Sequence, residues 1–169
     1  NGLPFTVDFD NSTGVFSNPF DLVGQSSITF PPSSTTFASY GSYSYSPNGD
    51  YFYIVIDFSY DATDPLVPGN TAISFKHNAY QFDMTLPQAS QPGSINYIGT
   101  LVDSLSASGF LFGINTNWSG DMQIGPDGKL YILYTSLMGL NHNFLSAIEC
   151  PNTATPSLLN VAVELNGQH

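Results

Sequence analysis

The chain has 169 residues, 13 Asp and Glu against 2 Lys and Arg, and a formal net charge of −11, with only 9% charged residues. Nucleic acids and anionic membrane surfaces are bound through clustered Lys and Arg, so this composition argues against both classes of partner. With 41% hydrophobic and 14% aromatic residues, the chain has enough apolar surface to fold, and its length predicts a single domain over residues 1–169.

Short β-strands are predicted along the whole chain, because β-branched, aromatic, Gly and Pro residues interrupt the helical pattern in nearly every window. The strands are predicted at residues 5–9, 20–23, 42–45, 51–58, 72–75, 79–84, 95–101, 110–114, 122–124, 130–134, 144–149 and 159–165. Residues 30–36 and 61–70 are predicted to be loops, because they are rich in Pro, Ser and Asp. The chain is therefore predicted to be all-β, either a propeller-like array of short antiparallel sheets or a β-sandwich.

Two similar turns point to an internal repeat. Residues 45–54 align with residues 124–132 once one extra residue is allowed in the first segment. The turn residues in this alignment are Pro47, Gly49, Pro126 and Gly128. Proline fixes φ at the first turn position and glycine accepts positive φ, so both segments predict a tight turn between antiparallel strands. The two prolines are 79 residues apart, about twice the 40 to 45 residues of a propeller blade.

A second echo supports the same period. Val7-Asp8-Phe9-Asp10 and Tyr80-Gln81-Phe82-Asp83 both read apolar, polar, aromatic, Asp, and 73 residues separate the two phenylalanines. Both offsets are close to two blades. An array of repeated β units is therefore the favoured architecture.

The order of these motifs resembles the WD40-like β-propeller region of large secreted surface proteins of gliding Bacteroidetes. The matching segments are residues 9–19, 43–53, 80–83, 122–132 and 148–152. The resemblance implies about three to four blades, in a non-catalytic, extracellular structural or binding module of a surface protein or filament that is self-associating or adhesive. A propeller normally closes with at least four blades, so three arrangements stay open: a fragment of a longer protein, a wedge completed by another chain, or the same strands repacked as a sandwich.

A catalytic site is not indicated by any motif. The sequence has no Gly-x-Ser-x-Gly elbow, and His77 and His142 lie in polar segments that predict turn residues or polar contacts. Glutamates number only two, Glu149 and Glu164, so a glycosidase carboxylate pair would have to come from Asp. A secreted carbohydrate-active enzyme or carbohydrate-binding domain stays open as the alternative function.

Calcium is the cofactor that the side chains favour, because Asp and Asn oxygens are its preferred ligands. Neither of two acidic clusters has the spacing of an EF-hand loop. The candidate ligands are Asp8, Asp10 and Asn11 in one cluster and Asp57, Asp61 and Asp64 in the other.

Exported proteins are often glycosylated, and three acceptor sites are predicted. Asn11 and Asn117 each begin an Asn-x-Ser/Thr tripeptide. Ser104 lies in Asp103-Ser104-Leu105, which resembles the O-glycan acceptor of Bacteroidetes.

Two further expectations concern single residue types. Cys150 follows an apolar run, which predicts an inert buried thiol. In the Tyr- and Phe-rich segment 40–53, strand alternation predicts that one set of rings points to the core and the other to an adjoining sheet, leaving Trp118 as the best candidate for an exposed aromatic.

Overall fold

The computed structural model describes residues 5–23, 25, 37–63, 71–101, 118–135 and 144–164. Within these ranges the chain forms ten β-strands and one short 3₁₀ helix. They are β1 (Phe5–Asp10), β2 (Val15–Asp21), β3 (Phe37–Tyr45), β4 (Tyr51–Thr63), β5 (Thr71–Asp83), the 3₁₀ helix (Gln88–Ser94), β6 (Asn96–Leu101), β7 (Trp118–Ile124), β8 (Leu130–Thr135), β9 (Phe144–Glu149) and β10 (Ser157–Glu164). The predicted all-β class is confirmed. No helix in the described ranges is long and apolar enough to cross a membrane.

The strand β5 joins two segments that the sequence predicts separately, residues 72–75 and 79–84. The polar residues Lys76, His77 and Asn78 predict a turn between them. In the structure these three residues pair with Phe58, Asp57 and Ile56 of β4, so the ladder continues without a break. Pairing along a 13-residue strand has overridden the local preference of the polar residues.

Several other boundaries differ from the prediction. β3 begins at Phe37 rather than at Ser42, and β7 begins at Trp118 rather than at Met122. β4 extends to Thr63, so the first three residues of the predicted 61–70 loop are strand. β2 begins at Val15 rather than at Phe20, because it pairs with β1 along its length. The strand predicted at residues 110–114 lies outside the described residues.

Three antiparallel sheets are present in the described part of the chain. β1 and β2 form a two-stranded ribbon, called the N-terminal ribbon here. β3 to β6 form the first sheet and β7 to β10 form the second sheet, and in both sheets the strands lie in sequence order. Each four-stranded sheet is therefore a meander, in which every strand pairs with its neighbours along the chain.

The two four-stranded sheets pack face to face and bury a shared core. This core contains Tyr53, Val55, Ala79 and Leu101 from the first sheet and Met122, Leu130, Ile132 and Ile148 from the second. β3 lies alongside β7 and β6 alongside β10. At the second of these contacts a Cβ on Gly99 would lie 3.0 Å from Cδ2 of Leu158. The sheets are thus stacked with each edge strand over its counterpart.

The centre of the opposite face of the first sheet is also buried, whereas Tyr43 and Tyr45 at its β3 edge are exposed. Successive residues of a strand point to opposite faces, so Phe52, Ile54 and Ile56 lie on this second face. Leu22 and Val23, which follow β2, complete a core with them. The first sheet is therefore covered on one side by the second sheet and on the other by the end of the N-terminal ribbon.

The two predicted turns have the same construction. The Gly49 N–H donates to the Ser46 carbonyl over 2.9 Å, and the Gly128 N–H donates to the Gly125 carbonyl over 3.0 Å. Both Gly49 and Gly128 have positive φ, 79° and 77°, in agreement with the turn chemistry read from the sequence. Pro47 and Pro126 occupy the first inner position of each turn.

The bonds that close these turns explain the extra residue in the sequence alignment. The Ser46 N–H donates to the Tyr51 carbonyl over 2.8 Å, whereas the Gly125 N–H donates to the Lys129 carbonyl over 2.8 Å. The first loop therefore contains one residue more than the second before its strand resumes.

Candidate binding face

The two hairpins that contain the repeated turns set the correspondence between the sheets. The last residue before each turn pairs with Phe52 in β4 and with Leu130 in β8. Phe52 therefore corresponds to Leu130, and the next residue, Tyr53, corresponds to Tyr131. The face of the first sheet that carries Phe52 corresponds to the buried face of the second sheet that carries Leu130.

The remaining face of the second sheet, called the outer face here, points away from the first sheet. It corresponds to the Tyr53 face of the first sheet, which is buried against the second sheet. Cross-strand pairing brings together Tyr131, Leu133, Leu145, Ala147 and Leu159 on the outer face. Leu133 and Leu159 are each 40% exposed. Ala147 is buried and Tyr131 and Leu145 are half-buried, so the apolar surface that is covered in the first repeat is partly exposed in the second, at Leu133 and Leu159.

One end of the outer face forms an open groove of about 510 Å³. The groove is lined by Gln123, Ile124, Gly125, Pro126, Asp127, Tyr131 and Leu145. The Tyr131 hydroxyl donates to Oδ2 of Asp127 over 3.0 Å, which holds the ring against the turn. A Cβ on Gly125 would lie 2.7 Å from Cδ2 of Tyr131, so only glycine allows this close approach.

The charged groups beside the groove pair with one another. Lys129 Nζ lies 3.0 Å from Oε1 of Glu149 and 3.7 Å from Oδ2 of Asp127. The hydrogen bond to Glu149, and then its charge, raise the pKa of Lys129 above its ordinary value. The hydrogen bond to Asp127 raises the pKa of Tyr131. This corner therefore keeps a fixed cation over the pH range in which proteins operate.

A buried polar network connects the two sheets, and no motif in the sequence predicts it. The Tyr53 hydroxyl donates to the Pro151 carbonyl over 2.8 Å and accepts from Nε2 of Gln81 over 2.8 Å. Nε2 of Gln81 also donates to the Thr153 carbonyl over 2.7 Å. Burial raises the pKa of Tyr53 well above its ordinary value, so the hydroxyl keeps its proton. The network positions the loop between β9 and β10 against the first sheet.

In the first predicted calcium cluster, both acidic side chains hold neighbouring residues. Oδ1 of Asp10 accepts from the N–H and the hydroxyl of Ser12, and Oδ2 accepts from the Thr13 hydroxyl over 2.7 Å. These bonds lower the pKa of Asp10 to about 2, the Ser12 hydroxyl having the largest effect. Oδ2 of Asp8 accepts from Nδ2 of Asn18 over 2.8 Å. In this structure the Asp10 carboxylate accepts hydrogen bonds from the β1–β2 turn, and the Asp8 carboxylate accepts one from the opposite strand of the ribbon.

The second predicted calcium cluster is spread along β4. Asp57 and Asp61 are four residues apart in an extended strand, which separates their Cα atoms by roughly 13 Å. The oxygen ligands of one calcium ion lie within about 2.6 Å of it. The strand therefore does not gather these two aspartates around one ion, and Asp64 lies outside the described residues. Among the described residues, no group of three or more His, Cys, Asp or Glu is placed to hold a metal.

The other predicted sites lie in different parts of the chain. Asn11 is exposed in the β1–β2 turn, where an acceptor asparagine is accessible; Ser104 and Asn117 lie outside the described residues. Trp118 is the first residue of β7. Phe52 and Tyr53 point to opposite buried faces, as strand alternation predicts.

The turn expected at His77 is wrong, and so is the expected burial of Cys150. His77, predicted to be a turn residue or a polar contact, lies in β5, where it is 2% exposed, because the β4–β5 ladder runs through it. His142 lies outside the described residues. Cys150 is exposed rather than buried. β9 ends one residue earlier, at Glu149, and Cys150 has φ of 51° at the start of the following turn, which carries its side chain out of the sheet.

No protein-family model, curated protein or solved structure was found to match this chain. Function is therefore inferred from the geometry described above.

Proposed function

We propose that this chain is a non-catalytic structural and binding module with propeller-like stacking of its sheets. It belongs to an extracellular bacterial surface protein or surface filament, where it is self-associating or adhesive. The observation that carries the proposal is the open outer face of the second sheet, whose counterpart in the first sheet is buried.

The propeller-like part of the proposal is supported by the way the sheets stack. Both are four-stranded antiparallel meanders, and the edge strand β3 lies over β7, as β6 does over β10. The Tyr53 face of the first sheet packs on the Leu130 face of the second, and these are different faces of the repeat. Stacking of unlike faces can be repeated with each further sheet, as it is in successive propeller blades.

The binding part of the proposal is supported by exposed apolar groups on the outer face. Leu133 pairs with Leu145 of β9 and Leu159 pairs with Ala147, two residues further along β9. Leu133 and Leu159 are both 40% exposed. The groove beside Tyr131 adds a concave region. A sheet face of this kind is a site at which another surface packs, because burial of its side chains is favourable.

Self-association is tested by light scattering over a wide range of protein concentration. We expect the apparent mass to rise above 18.2 kDa as concentration increases. The alternative that the chain is a carbohydrate-active enzyme is tested separately with a panel of glycans, and we expect none of them to be hydrolysed. Turnover that single Asp→Asn changes abolish would contradict the non-catalytic assignment, and a constant monomer mass would contradict self-association.

A carbohydrate-binding domain is the second candidate, and exposed tyrosines favour it. Tyr43 is 62% and Tyr45 is 45% exposed on β3, and their rings lie 6.0 and 5.2 Å from that of Phe52. Amphipathic rings of this kind present an apolar surface to water and a hydroxyl for hydrogen bonds. Glycan-array binding that is lost in Tyr43→Ala, but kept in the outer-face variant Leu159→Ser, would favour this candidate.

A further inference from the structure

We propose that the outer face of the second sheet binds the N-terminal ribbon of a second copy of this chain, so that copies associate head to tail. The inference rests on the proposed function as a self-associating module and names the partner of the open face. The repeat identifies the partner. The outer face is the counterpart of the Tyr53 face, and the Tyr53 face packs on the Leu130 face inside the chain. The partner must therefore present a counterpart of the Leu130 face.

The N-terminal ribbon corresponds to β5 and β6, the last two strands of the first sheet. The echo between Val7–Asp10 and Tyr80–Asp83 is reproduced in hydrogen bonds at the strand ends. Oδ1 of Asp10 accepts from the N–H and hydroxyl of Ser12 over 2.8 and 2.6 Å. Oδ1 of Asp83 accepts from the N–H and hydroxyl of Thr85 over 2.9 and 2.6 Å. In both places, therefore, an aspartate at the end of a strand accepts hydrogen bonds from the backbone and the hydroxyl of the residue two positions later.

The residues that follow the ribbon also make the corresponding contact. Leu22 and Val23, just after β2, cover the Phe52 face of the first sheet. Leu101, at the end of β6, packs on the Leu130 face of the second sheet, which is the corresponding contact. The order of packing is therefore the end of the ribbon, the first sheet and the second sheet, while most residues of β1 and β2 stay exposed.

The two ends of this stack consequently carry complementary faces. At the ribbon end, Val7 is 36% and Phe16 is 68% exposed. Phe16 pairs with Phe9. Phe9 is the counterpart of Phe82 in the sequence echo, and Phe82 lies in the same core as Phe52. At the other end is the outer face with Leu133 and Leu159. These are the two kinds of face that pack together inside the chain, so a second copy continues the stack.

Such a contact joins different surfaces of the two copies, and it leaves one unused end on each side of a dimer. The strongest test blocks one end at a time. Phe16→Glu places a charge on the ribbon, and Leu133→Glu places one on the outer face. Each variant alone is expected to weaken association by roughly tenfold or more, because a buried charge without a partner replaces an apolar contact.

Mixing the two blocked variants restores one intact contact between them. Sedimentation of an equimolar mixture is expected to show a dimer of two 18.2 kDa chains and nothing larger, whereas the wild type forms larger species as concentration rises. Leu86→Glu, at a turn residue that belongs to neither face and is 37% exposed, is the matched control and should associate like the wild type. Leu159→Glu provides a second outer-face variant, and circular dichroism melting verifies that each variant is folded.

The outcomes separate this inference from the proposed function. If the wild type stays monomeric at all concentrations, this inference and the self-association in the proposed function both fail. If the wild type associates but the mixture does not form dimers, the chain is self-associating through other surfaces and only the head-to-tail inference is overturned. If Leu133→Glu and Leu159→Glu associate normally, the outer face is not used and the inference is again overturned.

Discussion

At the scale of single residues, the two turn glycines have a role that can be measured without interference from packing. Gly49 and Gly128 have positive φ, and a Cβ at either position would have no other atom within 4 Å. A substitution there therefore tests backbone conformation alone. We expect Gly49→Val and Gly128→Val each to lower the free energy of unfolding by more than about 1 kcal/mol, because β-branched residues resist this region. Urea denaturation gives the change, and Gly128→Asn, which tolerates positive φ, is the control and should cost clearly less. Equal losses for Val and Asn would contradict this explanation.

The Asp10 carboxylate provides a second measurement at this scale. Its pKa is lowered from 3.8 to about 2 by the bonds from Ser12 and Thr13. A carboxyl with a lowered pKa in the folded state stabilises that state above its ordinary pKa, and the stabilisation is lost as the pH falls from about 3.8 towards 2. NMR titration of the carboxyl carbon should give a midpoint near 2 in the wild type and a higher midpoint in Ser12→Ala. Ser157→Ala, at the start of β10, should leave the midpoint unchanged.

At the scale of strands and loops, the Tyr53 hydroxyl connects the two four-stranded sheets. Tyr53→Phe removes the donor to the Pro151 carbonyl and the acceptor for Gln81, and leaves both groups in a buried site. We expect a loss of about 1–3 kcal/mol in the free energy of unfolding, and a faster exchange of amide hydrogens in the loop between β9 and β10. Tyr43→Phe removes a hydroxyl from an exposed ring and should change stability by less than about 0.5 kcal/mol. Similar effects for the two substitutions would mean that the network does not stabilise the contact between sheets.

The strands also show what a sequence can and cannot predict. Turns are determined by adjacent residues, so positive φ at Gly49 and Gly128 follows from the Pro-Asn-Gly and Pro-Asp-Gly segments themselves. Alternation likewise predicts that Phe52 and Tyr53 face opposite ways. The Tyr53–Gln81 bond joins residues 28 positions apart, and it depends on the register in which β4 pairs with β5. Tyr53 and Pro151 are 98 positions apart, and only the stacking of the sheets brings them together. For the same reason the polar residue His77 falls inside a strand, because its place depends on pairing with β4.

At the scale of the whole molecule, net charge opposes the association that the apolar faces favour. Every copy carries −11, and the exposed ribbon residues Asp8 and Asp10 add negative charge at one end of the stack. Raising the salt concentration from about 0.01 to about 0.15 M shortens the Debye length from about 30 to about 8 Å. We therefore expect the association measured by light scattering to strengthen over this range, because repulsion between copies is screened while burial of Phe16 and Leu133 is unaffected.

Calcium bridging predicts the opposite response, which makes the same measurement a test of the predicted metal. If divalent ions joined Asp8 and Asp10 of one copy to acidic groups of another, a chelator would reverse association and added monovalent salt would weaken it, since charge attraction is screened. An Asp8→Asn, Asp10→Asn double variant distinguishes the two cases further. It should associate more strongly than the wild type if apolar stacking drives assembly, because it removes two like charges from the ribbon, and more weakly if calcium does.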